Sequence, residues 1–392
     1  MVSLFMVISG YAISLALLRT RDSSATGVPF FRHLSSTATR RIFRIYLPST
    51  LVVVISQLVF FLGTFQLDSR LPDQFCAGLK PLSTPWYHTK YAFWTVLHSF
   101  DISNHGADMN FNTYRPDIMK NLSTHLWTMP VEYRGSCTVY LCILVFSFWR
   151  QGPRRLAILA VTSYWFYIGQ WDLLSFIGGL FLAELHVASE NPEADGEVQL
   201  SCDDQTKDNF AAWKLFITSP HLRLIRTIIC FVFGVYLLCI AAEQELSIEH
   251  RWLLYIQPGY WDNPEMMTRS WRSVGALIVI YAISQSSYLQ YPLNCRPVQY
   301  LGKISFPLYL VHPTIYNTIK RPLRNILWGL ITQQTYPGTE EAINYSLLFG
   351  SAWGVATLVC AVIMVVVAHF WEMYIDKKCL QLSRRFDKWA SQ

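Results

Sequence analysis

"MVSLFMVISGYAISLALLRTR" occupies residues 1–21, and its reading decides the fold. The chain enters an apolar run of helical length at its first residue, and the first arginines, Arg19 and Arg21, come behind that run. A secretory signal peptide has the opposite order, with basic residues ahead of its apolar core. The stretch is therefore expected to stay in the protein as a membrane helix that runs from the exterior to a cytoplasmic Arg cluster.

The rest of the chain supports lipid as the solvent. Of 392 residues, 52% are hydrophobic and only 15% charged, and the mean hydropathy is +0.25. A soluble domain carries about a quarter charged residues. Apolar windows recur at 2–18, 47–65, 131–149, 156–169, 172–187, 224–242, 273–289, 298–318 and 343–369, each near the length that crosses a bilayer. The expected fold is all-α: a polytopic membrane helix bundle with about nine transmembrane helices, in one domain over residues 1–376 with a basic cytoplasmic tail at 377–392. The net charge of +6 lies in short clusters beside apolar runs, a topology signal with no basic, aromatic-interleaved face for nucleic acid. Nine cysteines make no CxxC pair and no Cys/His metal spacing, so no metal is expected.

Lys and Arg near span ends stay cytoplasmic. With nine spans, three basic segments fall on one side: Arg19 to Arg44, Arg150 to Arg155, and Lys377 to Lys388. Lys320, Arg321 and Arg324 fall on the other side and count against the scheme. An exterior loop, 66–130, carries the sequon Asn121-Leu122-Ser123 and the histidines of "WYHTKYAFWTVLHSF" (86–100), read as lid or surface residues. The acidic segment 188–223 is expected to be a solvated cytoplasmic loop.

Three constellations carry possible chemistry. In "ATRRIFRIYLP" (38–48), Arg41 and Arg44 stand three apart, on one helix face. Two guanidinium forks suit the phosphates of a nucleotide-bearing thioester, and the same pair suits a positive-inside anchor. In "NLSTHLWTMPVEYRGS" (121–136), Glu132 and Arg134 enter an apolar span just after Pro130. A carboxylate at that depth reads as functional or as half of an ion pair; His125 is a weaker candidate. In "YLGKISFPLYLVHPTIY" (300–316), Pro313 frees a carbonyl around Tyr309, and His312 either satisfies such a group or serves as base or donor to substrate. Asp172, Glu184, His186, His369 and Glu372 lie near span ends, where snorkelling or capping would explain them.

Taken in order, "LFMVISGYAISL", "RRIFRIYLP", "LWTMPVEYRGS" and "LGKISFPLYLVHP" resemble the acyltransferase-3 family of membrane O-acyltransferases, in a form that looks fungal. The resemblance implies a bundle of about ten helices that moves an acyl group, often acetyl, from acyl-CoA to a hydroxyl of a sugar, polysaccharide, lipid or small metabolite. It implies that Arg41 and Arg44 serve the acyl-CoA side of the pore, that Glu132 is the motif's acidic residue, and that Ser9 and Gly10 form a close-packing turn. Tyr309 and His312 match its Tyr-Leu-x-His motif. The expected partners are the bilayer, acyl-CoA and a hydroxyl-bearing acceptor. The family carries a helix ahead of the Ser-Gly-Tyr segment, with an arginine about ten residues before a catalytic histidine. This chain shows no residues there, so three expectations follow in order: a record truncated at its start, substitution by His312, or a compromised catalyst. A transporter of a small anionic solute is the rival class; it would use Glu132, His312 and the arginines as a path.

Overall fold

The computed structural model describes residues 2–23, 27–65, 80–100, 124–190, 220–241, 247–261 and 263–390. Among them there is no strand. Each of the nine expected spans carries a helix: α1 (Val2–Ser23), α2 (Val28–Phe61), α4 (Thr128–Val145), α5 (Gln151–Ile168), α6 (Trp171–Glu190), α7 (Pro220–Leu238), α8 (Pro264–Gln285), α9 (Arg296–Ile315) and α11 (Ser346–Trp371). The described residues also form the longer helices α3 (Pro85–Ser99), α10 (Arg321–Thr332) and α12 (Lys377–Ala390), besides two four-residue ones. α1, α2, α6 and the run that contains α11 are long and apolar enough to cross a membrane by length and composition. The protein is thus an all-α membrane bundle. On α11, Leu347, Leu358 and Val362 are 88%, 70% and 65% exposed, a face that only lipid would leave unpenalised.

The chain divides into two compact units. The first takes α1, the start of α2, α4 from Val131, and α5 to α8. Its centre is α6, where every residue from Trp171 to Leu180 is buried, as befits a helix apolar on all sides. α1, α5 and α8 pack around it. α1 and α6 meet backbone to backbone: a methyl on Gly10 would lie 2.9 Å from Phe176 Cα, and one on Gly179 would lie 2.7 Å from Tyr11 N. The Ser9-Gly10 element is therefore a helix crossing within α1 rather than a turn. Between α5 and α6, Gly169 takes φ +81° and its N–H bonds Phe166 O at 3.1 Å, a left-handed cap that reverses the chain in the short "GQW" link.

Charges tie the same helices together. Glu184 of α6 accepts from Arg21 of α1 at 3.0 Å and from Arg154 of α5, and all three are buried. Asp172 lies 3.8 Å from Arg134 of α4, whose other nitrogen bonds Gln170 at 2.9 Å. Asp172 and Glu184 are thus interior ion-pair members rather than snorkelling residues. Position in sequence suggested a boundary, but the neighbouring helices extend far enough to cover them.

The second unit takes α2 from Thr39, α3, residues 124–130, and α9 to α12. α2 begins at Val28, well before the apolar window at 47, so Arg32 to Arg44 sit on the helix itself. The segment 66–130 contains α3, and here the sequence reading needs correction. His88 is only 4% exposed; its Nδ1 lies 2.8 Å from Gln57 Nε2 and its Nε2 3.0 Å from Ser83 Oγ. Nδ1 ties α3 to α2 and Nε2 ties it to the chain just ahead of α3, so His88 is a clasp and not a surface residue. α11 buries small residues, Ala352, Ala356, Cys360 and Ala368, on the face that meets α9 and α10. Asn121 and most of the acidic segment, 191–219, lie outside the described residues.

Candidate active site

The four singled-out residues fall in different places. Glu132 belongs to the first unit; Arg41, Arg44 and His312 belong to the second.

Glu132 sits on the second turn of α4 and is 4% exposed. Ser9 Oγ donates to its Oε1 at 3.3 Å, so the Ser-Gly element of α1 supplies both the close approach and a partner for the carboxylate. Ser136, one turn on, donates to the Glu132 carbonyl at 2.8 Å.

His312 shows why Pro313 stands beside it. The proline has no N–H to give Tyr309 O, and His312 Nδ1 fills the gap at 2.7 Å. A carbonyl only accepts, so Nδ1 carries the proton and Nε2 keeps a lone pair. The freed group is thus satisfied by Nδ1 alone.

The sequence undervalued His125. It lies in the 3-10 turn Thr124–Trp127 that precedes α4, and its ring is 5.2 Å from that of His312, at 69°. Its Nε2 lies 3.2 Å from Leu310 O, which fixes the proton there. Nδ1 is then a buried lone pair with no hydrogen-bond partner among the described residues. Burial, followed by the nearby His312, lowers its pKa from 6.5 to about 3, so this ring stays neutral in physiological conditions. Tyr309 frames the pair: its hydroxyl donates to His125 O and accepts from Thr128 Oγ1 at 2.6 Å. Two imidazoles therefore stand together, each with one nitrogen tied to a backbone carbonyl and the other without a hydrogen bond among the described residues. Histidines far apart in sequence carry no metal spacing, so only the fold could pair them. Among the described residues no group of His, Cys, Asp and Glu is arranged to hold a metal ion.

Arg41 and Arg44 share a face of α2, with Arg41 half-buried and Arg44 exposed. A charge the sequence did not suggest acts on Arg44: Asp376, in the π turn Glu372–Asp376 that joins α11 to α12. Lys303 of α9 reaches Glu372 of that turn at 3.5 Å, and Lys377 reaches it at 3.7 Å. Ser56 Oγ and Thr314 Oγ1, 2.6 Å apart, set the register of α2 against α9. Arg44 precedes Ser56 by twelve residues, so it lies about 18 Å along the bundle from the His312 level.

Sequence comparison gives the class: the chain matches the acyltransferase domain (acyltransferase-3) over residues 1–370 and belongs to that family. It is an integral-membrane O-acyltransferase. It is 26% identical to the O-acetyltransferase PaAT-1 of Phomopsis amygdali over 100% of this chain and 74% of that protein. It is 21% identical to acyltransferase clz18 of Cochliobolus lunatus, over 89% of this chain and 74% of the relative. Acyltransferase R4 of a Phoma species is 20% identical over 97% and 79% respectively. No solved structure matches the chain.

Proposed function

We propose that this protein transfers an acyl group, acetyl by analogy with the O-acetyltransferase it resembles, from acyl-CoA to a hydroxyl on a small metabolite, sugar or polysaccharide. The observation that carries the reading is the His125–His312 pair, in which His312 has Nδ1 tied to Tyr309 O and Nε2 left without a hydrogen bond among the described residues. His312 Nε2 removes the acceptor's proton as its oxygen attacks the thioester carbonyl; the C–S bond then breaks, and the imidazolium returns the proton to the departing thiolate. His125, neutral by virtue of its burial, stands beside it as an uncharged ring. Arg41 and Arg44 bind the CoA phosphates, and their distance from His312 suits the length of a pantetheine arm. Glu132 is the second catalytic candidate, its carboxylate oriented by Ser9.

The test is transfer of labelled acetyl from acetyl-CoA to a panel of hydroxyl acceptors by the full chain in nanodiscs. Arg41→Ala with Arg44→Ala should raise the KM for acetyl-CoA with a smaller change in kcat. His312→Ala and Glu132→Gln should remove turnover while the protein stays inserted and monodisperse. Full activity in His312→Ala would overturn the assignment of the base.

A further inference from the structure

Lys320, Arg321 and Arg324 are cations on the side where the charge pattern wants few, and the reaction described above uses none of them. The π turn Tyr316–Lys320 continues α9 and puts Lys320 inside the second unit, 7% exposed. Its ammonium stands 4.2 Å from the centroid of Trp353 and 4.9 Å from that of Tyr316. Arg324, one helical turn on, lies 4.0 Å over Tyr336 and bonds Asn325 Oδ1 at 3.0 Å. Among the described residues neither Lys320 nor Arg324 meets a carboxylate. Ring faces attract the charge but take up no N–H, so the three donors of the Lys320 ammonium are all unused.

We propose that Lys320 and Arg324 form a binding site for a phosphate group, distinct from the donor site at Arg44. A buried cation that lacks a carboxylate is stabilised by a ligand that brings its own anionic oxygens, and two cations one turn apart match a group bearing more than one such oxygen. The aromatic faces hold the cations in place before the ligand arrives. Lys303, which reaches Glu372 near the Arg44 level, is seventeen residues earlier on the same α9 segment, about 25 Å away along the helix. The phosphate can come from an anionic lipid headgroup or from a soluble phosphate ester. α10 favours the lipid: it has 12 residues, about 18 Å and too short to span, yet it exposes Ile326, Leu330 and Ile331, as a helix lying along the membrane interface does.

Native mass spectrometry of the full chain in neutral detergent tests this, with phosphatidylglycerol, phosphatidylcholine and inorganic phosphate as separate probes. Lys320→Met and Arg324→Gln are each expected to weaken phosphatidylglycerol binding about tenfold, the loss of one charge-assisted contact, while Lys320→Arg retains it. Phosphatidylcholine should be held no better by the native chain than by the variants. Sensitivity of phosphatidylglycerol alone supports a headgroup site; sensitivity of inorganic phosphate as well supports a soluble phosphate ester. Should Lys320→Met not fold, Arg324→Gln decides by itself. Native-like binding of both anionic probes by the folded variants overturns the proposal.

Discussion

Replacing Gly10 by Ala should damage both stability and catalysis. The new methyl would lie 2.9 Å from Phe176 Cα, where carbon atoms rest at about 3.5 Å or more, so α1 and α6 must part by at least about 0.6 Å. The obstacle is backbone, which has no rotamer to turn aside. Overpacking of this kind costs up to about 3 kcal/mol, and the better helix propensity of Ala returns about 1 kcal/mol, for a net loss of about 2 kcal/mol. Gly179→Ala meets the same wall from the other helix, since its methyl would sit 3.1 Å from the Gly10 carbonyl carbon. Once one substitution has opened the crossing the second adds less, so the double variant should lose less than the sum of the singles. Gly354→Ala is the control, because nothing lies within 4 Å of a methyl there. The Ser9–Glu132 bond, already 3.3 Å long, has no slack for such a shift, so activity should fall in Gly10→Ala and not in Gly354→Ala. Equilibrium unfolding in mixed micelles gives the stability differences, and acetyl transfer gives the activity. Gly10→Ala and Gly179→Ala as stable as Gly354→Ala would refute a backbone-to-backbone crossing.

Glu184→Ala leaves the Arg21 and Arg154 guanidinium groups buried without their shared carboxylate and should cost about 3–5 kcal/mol, read as a lowered midpoint in the same unfolding assay; an unchanged midpoint would place the triad in water. His125 is held neutral down to about pH 3 in the folded chain, whereas its ordinary pKa is 6.5. The unfolded chain therefore binds the extra proton first, and stability contributed by this group falls as pH drops from 6.5 towards 3. His125→Gln should flatten that part of the stability profile, and an unaltered slope between pH 6.5 and 4 would argue against a sealed imidazole. Tyr309→Phe removes the hydroxyl that bonds His125 O and Thr128; it should lower kcat more than it raises the KM for acetyl-CoA, and a KM effect alone would assign Tyr309 to donor binding.

Much of the bundle was legible in one dimension, because span length and the absence of charge are local properties. All nine apolar windows are helices, and the arginines that flank them lie at helix ends or, in α2, on an extension of the helix. α3 was missed because "PWYHTKYAFWTVLHS" mixes polar and aromatic residues without a sustained apolar window; its stability comes from clasping α2 through His88 and Gln57. The surroundings of Lys320 could not be read either, because the ring of Trp353 comes to it from α11, over thirty residues further along the chain.

The candidate site divides along the same line. The sequence by itself determined that this is a membrane helix bundle, that Pro313 would free a carbonyl near Tyr309, that Arg41 and Arg44 share a face, and that Glu132 enters an apolar span. Each of those follows from periodicity, from the missing donor of proline, or from the cost of charge in lipid. Only tertiary structure decided that His125 stands against His312 across 187 residues of chain, that Ser9 orients Glu132, and that Asp172 and Glu184 are interior. These depend on which helix faces meet, and two rings brought into contact by the fold leave no mark in sequence spacing.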